Sequence, residues 1–237
     1  MSGERPVTNG NAIRPPARTD LLRELGLLAD LGRLLLEAPD LARQEKGDGR
    51  PVVVLPGFGG SDASTALLRA YLRYLGHDAR GWRLGRNLGD VAALVPKVEE
   101  AVSAVHAGTG RPVALVGWSL GGVLAREAAR RRPDAVSRVV TLGTPVVGGP
   151  KYTATARGYR KRGFDLDEVE RIVDRHERVP IGVPLTVVYS RSDGIVAWQA
   201  CLDRWNPGAD HVEVDSTHLG LVACPAVFRL LARTLVR

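Results

Sequence analysis

One short stretch, residues 117–122 (Gly-Trp-Ser-Leu-Gly-Gly), restricts what this chain can fold into more than any other. It follows an apolar run, residues 112–116, that is typical of a buried strand, and it precedes a helical pattern that starts at Val123. Its small residues allow a sharp turn that holds Ser119 at the tip in strained backbone geometry. The N–H groups at the start of the helix would then point at any negative charge that forms beside the hydroxyl. A glycine-rich turn without chemistry is the alternative, and the rest of the sequence decides between the two.

A serine nucleophile needs a base within hydrogen-bond reach, and the base needs an acid that orients it. Two later strand ends offer both groups. Residues 184–189 predict a buried strand that runs into a turn carrying Asp193, and residues 211–214 predict a short strand that runs into a loop carrying His218. Because parallel sheets collect functional groups at the carboxyl ends of their strands, we expect Ser119, Asp193 and His218 to lie together.

Other residues compete for the acid and base positions. Asp215 lies three residues before His218 and is the alternative acid, although its side chain also suits a turn or cap of the histidine loop. Asp193 is favoured because it directly follows an apolar strand. Four further histidines are present, and none lies in a comparable loop at a strand end: His77, His106, His176 and His211.

Five segments together make the sequence similar to the α/β-hydrolase superfamily, and within it to the bacterial lipases and esterases. The resemblance extends from about Pro51 to the C-terminus and rests on the order and spacing of residues 53–60, 117–122, 142–145, 192–196 and 217–221. It implies an α/β fold in which a mostly parallel central sheet is flanked by helices and carries a small lid or cap insertion. It also implies a serine hydrolase that cleaves carboxylic esters through an acyl-enzyme, without a cofactor and with His218 as the base.

The same resemblance implies an oxyanion hole built from two backbone N–H groups. We assign one donor to Leu120, which follows the nucleophile, and the other to Phe58, with Gly59 as the fallback. Lipases usually carry His-Gly where this chain has Pro56 and Gly57, a difference that leaves the backbone donors in place. A core aromatic at a strand end is the alternative for Phe58, and both interpretations can hold together.

Three residues are expected to line the substrate pocket: Trp118, Gly57 and Leu219. Packing beneath the turn is the alternative for Trp118. The cover of the pocket is predicted in residues 146–182, where the family inserts its lid and where this chain is aromatic and basic; an ordinary surface crossover is the alternative. The segment is short for a full cap, which favours an esterase acting on accessible substrates over an interfacially activated lipase.

The chain divides into an N-terminal part, residues 1–48, and a hydrolase domain, residues 49–237. The first 17 or so residues are polar and rich in Pro and Gly, and they predict disorder. Leucines then recur at helical spacing between Leu21 and Leu36, which predicts an amphipathic helix. Its leucine face has three possible destinations: the hydrolase core, a dimer contact or a lipid surface.

Composition excludes several other classes of protein. The 237 residues suffice for one domain with a substantial core, and the charge of +7 comes from 33 basic against 26 acidic residues. Aromatic residues do not alternate with the basic ones, so we expect a solvated basic surface and no nucleic-acid partner. Attraction to anionic lipid surfaces, as a peripheral contact, or to acidic substrates is the alternative. No stretch predicts a membrane span or a signal peptide. We therefore expect a cytoplasmic monomer or homodimer, although a secreted protein without its signal would look the same.

The sequence predicts neither a metal nor a cofactor, because no clustered set of His, Cys, Asp and Glu has ligand spacing. Cys201 and Cys224 are expected to be buried free thiols, with a disulfide between them as the alternative. Thioesterases, amidases, acyltransferases and polyester hydrolases use the same triad, so the residues leave open which small-molecule or lipid ester is the substrate. Outside the enzymes, the alternative is a hydrolase-like protein that binds a small ester or lactone without turnover.

Overall fold

A parallel sheet of six strands forms the centre of the computed structural model, which describes residues 13–236. The strands are β1 (Pro51–Leu55), β2 (Asp78–Gly81), β3 (Val113–Trp118), β4 (Val136–Leu142), β5 (Leu185–Tyr189) and β6 (Asp210–Glu213). They lie in the order β2-β1-β3-β4-β5-β6, and each neighbouring pair is parallel. The predicted α/β fold with a mostly parallel central sheet is therefore confirmed.

Helices cover both faces of the sheet. The α-helices of the described part are α1 (Leu27–Leu36), α2 (Ala38–Leu41), α3 (Ala66–Tyr74), α4 (Val91–Thr109), α5 (Leu120–Arg131), α6 (Ala156–Lys161), α7 (Leu166–Glu177), α8 (Trp198–Cys201) and α9 (Pro225–Thr234). Short 3-10 helices span Arg18–Gly26, Asp62–Thr65, Gly149–Tyr152 and Gly220–Val222. Helices α3 and α9 pack on one face of the sheet, and α4 and α5 pack on the other.

The central strands are apolar along their whole length because both of their faces are covered. Every residue of β1 and of β3 is buried. Alternate residues of β1 enter different cores: Val52 and Val54 pack with α3 and α9, whereas Val53 and Leu55 pack with α4 and α5. This is the pattern of a parallel strand between two helical layers.

The leucine-rich N-terminal segment differs from its prediction. Instead of one amphipathic α-helix, it forms the 3-10 helix Arg18–Gly26 followed by α1. Its acidic residues Glu24 and Asp30 are buried, whereas Leu35 and Leu36 are 79% and 82% exposed. The idea that the leucine face packs on the hydrolase core is therefore wrong. The physical reason is that the two carboxylates bind N–H and hydroxyl groups of neighbouring loops, which leucine side chains cannot do.

Both cysteines are free and buried, so the alternative of a disulfide between Cys201 and Cys224 is not found. Burial raises the pKa of both thiols. Across residues 13–236, no helix has the length and apolar character that a membrane crossing requires. The predicted disorder of the first residues lies mostly outside the part of the chain that the structure describes.

Candidate active site

Ser119 lies at the turn between β3 and α5. Its φ of 54° and ψ of −123° place it in a backbone region that L-residues rarely adopt, at a cost of about 1–3 kcal/mol. The neighbouring glycines make room for this turn. A Cβ on Gly117 would lie 2.4 Å from the Cα of Gly122, and a Cβ on Gly121 would lie 2.3 Å from the carbonyl oxygen of Leu55. The local sequence therefore forces the serine outward on a sharp strand–turn–helix connection.

Asp193 and His218, which are predicted to lie beyond the ends of two strands, are in direct contact. Asp193 Oδ2 lies 2.6 Å from His218 Nδ1, and both residues are buried. The other carboxylate oxygen accepts hydrogen bonds from the N–H groups of Ile195 at 2.8 Å and Val196 at 2.7 Å. Trp118 donates from Nε1 to the carbonyl oxygen of His218 at 3.1 Å. Both members of the pair are therefore fixed by hydrogen bonds on their outer sides.

The competing residues lie elsewhere. Asp215 is exposed, and its carboxylate accepts a hydrogen bond from the Ser192 hydroxyl at 3.2 Å. His211 Nε2 accepts from the N–H of Asp203. His77 and His106 have ring nitrogens buried without a hydrogen-bond partner, and His176 lies on α7.

A cavity of about 720 Å³ opens beside the turn. Seven of the eight residues that the sequence assigns to the site line it: Gly57, Phe58, Trp118, Ser119, Leu120, His218 and Leu219; Asp193 lies behind His218. The Ser119 hydroxyl makes no hydrogen bond to any residue in the described part of the chain, including His218. Such bonds are often long in an unliganded site and shorten when substrate binds. Among residues 13–236, no group of three or more His, Cys, Asp or Glu side chains is placed to hold a metal ion.

The loop after β1 lies directly against the serine. A Cβ on Gly57 would lie 3.0 Å from the Cβ of Ser119, so a larger residue could not take this position without a shift. Within the described residues, the N–H groups of Phe58 and Leu120 make no backbone hydrogen bond. The N–H of Gly59, the fallback donor, is already bonded to the carbonyl oxygen of Asn87 at 2.7 Å. These two N–H groups, on residues that line the same cavity as Ser119, are thus left without a backbone acceptor in the described part of the chain.

Asn87 holds this loop and was not singled out by the sequence. It is fully buried, and its side-chain amide donates to the carbonyl oxygen of Pro56 at 2.9 Å. Its own N–H donates to the carbonyl oxygen of Gly60 at 2.8 Å, and its carbonyl accepts from Gly59. Three hydrogen bonds from one residue thus fix residues 56–60. The only sequence feature that could have drawn attention to Asn87 is its position in a Gly-rich loop.

Residues 146–182, the predicted cover, form one wall of the cavity through the 3-10 helix Gly149–Tyr152, α6 and α7. A buried ion-pair network fastens this wall to the helix that follows Ser119. Arg126 on α5 contacts the carboxylates of Glu177 at the end of α7 and of Asp203, and Arg130 also contacts Glu177. Burial disfavours the charged guanidinium of Arg126, but the two carboxylates outweigh this and raise its pKa.

Glu24 is a second residue beside the candidate site that the sequence did not single out. Its Oε1 accepts from the N–H groups of Gly194 at 2.9 Å and His218 at 3.2 Å, and its Oε2 accepts from Leu219 at 2.7 Å. One buried carboxylate thus binds the loop that carries Asp193 and the loop that carries His218. The leucine spacing around Glu24 pointed to the opposite face, so no local signal identified it.

Comparison with known proteins places the chain in a family. The sequence pattern of the “Alpha/beta hydrolase family” matches residues 52–236. Over 121 residues the chain is 30% identical to the pimeloyl-[acyl-carrier protein] methyl ester esterase of Aliivibrio fischeri, a match that covers 49% of this chain and 43% of that protein. The chain thus matches less than half the length of this relative.

Two further similarities extend over most of the chain. Over 237 residues it is 26% identical to the mouse palmitoyl-protein thioesterase ABHD10, mitochondrial, with 84% of this chain and 78% of that protein covered. The crystal structure of Bacillus licheniformis lipase BlEst2 in mature form aligns with a TM-score of 0.62 at 17% identity, and covers 82% of this chain and 95% of that one. At this identity the structural likeness concerns the fold alone.

Proposed function

Because the chain belongs to the alpha/beta hydrolase family, we propose that it is a serine hydrolase that cleaves carboxylic esters with Ser119, His218 and Asp193. The observation that carries the proposal is the 2.6 Å contact between Asp193 and His218 at the edge of the cavity that Ser119 also lines. A buried carboxylate on one ring nitrogen sets the tautomer that leaves the other nitrogen free to accept a proton. The strained, unbonded hydroxyl of Ser119 is the group that would lose it.

The proposed reaction is a two-step acyl transfer. His218 takes the proton of Ser119 as its oxygen attacks the ester carbonyl, and Asp193 stabilises the imidazolium that forms. The N–H groups of Phe58 and Leu120 donate to the oxyanion of the tetrahedral intermediate; one such donor contributes about 3–4 kcal/mol to transition-state stabilisation. The alcohol leaves with the proton from His218. Water, deprotonated by His218, then releases the acid and restores Ser119.

The shape of the cavity favours an elongated acyl group. Its lining follows α5 from Ser119 to Arg131, a distance of about 18 Å at about 1.5 Å per residue. Six aliphatic side chains line the cavity: Val91, Val95, Val123, Val169, Ile172 and Val173. The part farthest from Ser119 along α5 also carries charged side chains, Glu127 and Arg131. An aliphatic acyl chain fits such a wall better than a polar acid does.

Thioester hydrolysis is the second candidate. It is favoured by the similarity to a palmitoyl-protein thioesterase, which extends over 84% of the chain. The two candidates share the attacking serine, the base and the acyl cavity, and they differ only in whether an alcohol or a thiol leaves. Parallel kinetics on ester and thioester pairs with the same acyl chain distinguish them.

The test is a series of p-nitrophenyl esters from short to long acyl chains. Wild type should hydrolyse the series with a preference for medium or long chains, and Ser119→Ala should abolish turnover. Asp193→Asn should lower kcat by about 10⁴-fold because it disturbs the tautomer of His218. Asp215→Asn is the matched control and should retain wild-type activity. Absence of wild-type turnover on every ester and thioester, or turnover that survives Ser119→Ala, would refute the proposal.

A further inference from the structure

A second, smaller groove of about 370 Å³ adjoins the cavity. Three residues line both spaces: Phe58, Thr155 and Tyr159. Phe58 belongs to the loop that lies against Ser119, so a molecule whose carbonyl is at Ser119 can extend into the groove past this side chain. The groove is therefore placed to receive the part of a substrate that does not enter the apolar cavity.

Four of the nine residues that line this groove are cationic: Arg18, Arg157, Lys161 and Arg162. No acidic residue lines it. Among the described residues, none of the four cations forms a salt bridge or a side-chain hydrogen bond. They project from two separate parts of the chain, Arg18 from the N-terminal 3-10 helix and the other three from α6 and its end.

Two other cations of the cover segment are paired with carboxylates, in a chain that carries a net charge of +7. Lys151 pairs with Asp167 and Glu170, and Arg171 pairs with Glu168. Arg160 and Arg175 of the same segment also form no salt bridge within the described residues, and they do not line the groove. What distinguishes the groove is that four cations from two parts of the chain line it with no carboxylate among them. Converging cations without internal carboxylates favour an external anion.

From this arrangement we infer that the groove, which we call the cationic groove, binds a phosphate-bearing leaving group of a soluble acyl substrate. The inference rests on the proposed function and names its substrate class. Three of the four cations are arginines, whose planar guanidinium donors match phosphate oxygens in pairs. The apolar cavity takes the acyl chain, and the cationic groove takes the alcohol or thiol that carries the phosphate.

The bonds that form and break are those of the proposed reaction. For a thioester, the Ser119 oxygen bonds to the acyl carbon, the carbon–sulfur bond breaks, and the sulfur takes the proton that His218 received. Water then hydrolyses the acyl-serine, so the products are one carboxylic acid and one phosphate-bearing thiol. No oxidant, reductant or further reactant is required.

Two octanoyl thioesters provide the test: octanoyl-coenzyme A, whose thiol bears phosphates, and S-octanoyl-N-acetylcysteamine, whose thiol is neutral. Wild type should show at least a tenfold higher kcat/KM for the first, and the preference should shrink as ionic strength rises. In a variant with Arg157→Gln, Lys161→Gln and Arg162→Gln, the preference should be lost, at about two- to fivefold per charge, while the neutral thioester and p-nitrophenyl octanoate keep their rates. Arg160→Gln is the matched control because it lies on the same helix outside the groove.

The outcomes separate this inference from the proposed function. Equal kcat/KM for the two thioesters, or an equal loss on both in the triple variant, overturns the cationic groove even if esters are hydrolysed. No turnover of any substrate refutes the proposed function instead. Phosphate groups also occur on lipid headgroups. Binding to vesicles of phosphatidylcholine with and without phosphatidylglycerol distinguishes lipid headgroups from a soluble substrate. Charge-dependent binding to the anionic vesicles without a preference for the coenzyme A thioester assigns the groove to lipid headgroups and overturns the soluble substrate.

Discussion

Replacing Glu24 with glutamine changes one heavy atom of a buried carboxylate that contacts both the loop carrying Asp193 and the loop carrying His218. The carboxylate accepts three backbone hydrogen bonds, from Gly194 at 2.9 Å, His218 at 3.2 Å and Leu219 at 2.7 Å. A glutamine can keep its oxygen on the first two N–H groups. Its amide nitrogen then faces the N–H of Leu219, so two donors oppose each other. Glu24→Ala removes all three acceptors.

The size of the effect follows from these contacts. A hydrogen bond to a charged group contributes about 1.5–3 kcal/mol, so Glu24→Gln should lower the free energy of unfolding by about that amount. For Glu24→Ala the three bonds set an upper limit of about 4.5–9 kcal/mol, and the shared acceptor makes the true loss smaller. A displacement of about 1 Å in a reacting group can cost about 100-fold in rate. We therefore expect Glu24→Gln to lower kcat by about 10- to 100-fold through the shift of His218.

The measurements are urea unfolding and steady-state hydrolysis of a p-nitrophenyl ester. KM should stay within about twofold of wild type, because Glu24 does not line the cavity. Leu25→Gln is the matched control: it is the next residue on the same helix, it is 69% exposed, and it should leave stability and kcat unchanged. If Glu24→Gln keeps the wild-type kcat, or changes KM alone, Glu24 does not position His218 and the reasoning fails.

Three further changes probe other parts of the structure. Asn87→Ala should lower kcat by about 10- to 100-fold, because the loop that carries the Phe58 N–H loses a buried hydrogen bond; an unchanged kcat in the folded variant would contradict this. Arg126→Met should lower the free energy of unfolding by about 3–5 kcal/mol in guanidinium titrations, because it leaves the buried Glu177 without this partner, and a loss below about 1 kcal/mol would count against the network. Burial lowers the pKa of His77 below its usual 6.5, so the unfolded chain binds more protons at this residue than the native protein does as the pH is lowered through about 6.5. The free energy of unfolding therefore decreases as the pH is lowered, by up to about 1.4 kcal/mol per pH unit. His77→Gln should reduce that slope between pH 7.5 and 5.5 in urea unfolding, and equal slopes would disprove it.

The sheet could be predicted from the sequence because its strands carry a strong local signal. An uninterrupted apolar run such as residues 51–55 is required wherever both faces of a strand are covered, and the runs at β3 and β5 follow the same rule. The contact between Asp193 and His218 could be predicted from these strand signals as well. Once two strands are parallel neighbours, as β5 and β6 are, the loops at their carboxyl ends must meet.

The contacts that support the site could not be predicted in this way, because they have no local pattern. Glu24 and His218 are separated by 194 residues, and only the folded chain brings them together. The leucine spacing between residues 21 and 36 indicated a helix with an inward apolar face. In the structure, the side chains that accept hydrogen bonds from loop N–H groups decide which face of this segment is buried, and the leucine spacing does not reveal them. Asn87 lies in a loop without periodicity, where propensity alone predicts only a turn.

Part of the candidate site lies in the N-terminal segment, before residue 52, where the match to the family begins. Asp30 accepts a hydrogen bond from the Ser216 hydroxyl at 2.8 Å, and a Cβ on Gly220 would lie 2.0 Å from Asp30 Oδ2, so α1 packs closely against the loop that carries His218. If the N-terminal segment were removed, three loop N–H groups would lose their carboxylate acceptor, Glu24. The loops would then rearrange so that these groups bind water or other acceptors. The segment and the loops therefore stabilise each other. A chain that begins at residue 49, the boundary that composition suggests, would lose the contacts that fix His218. A loss of activity in that chain would therefore say nothing about lipid binding by the exposed leucines.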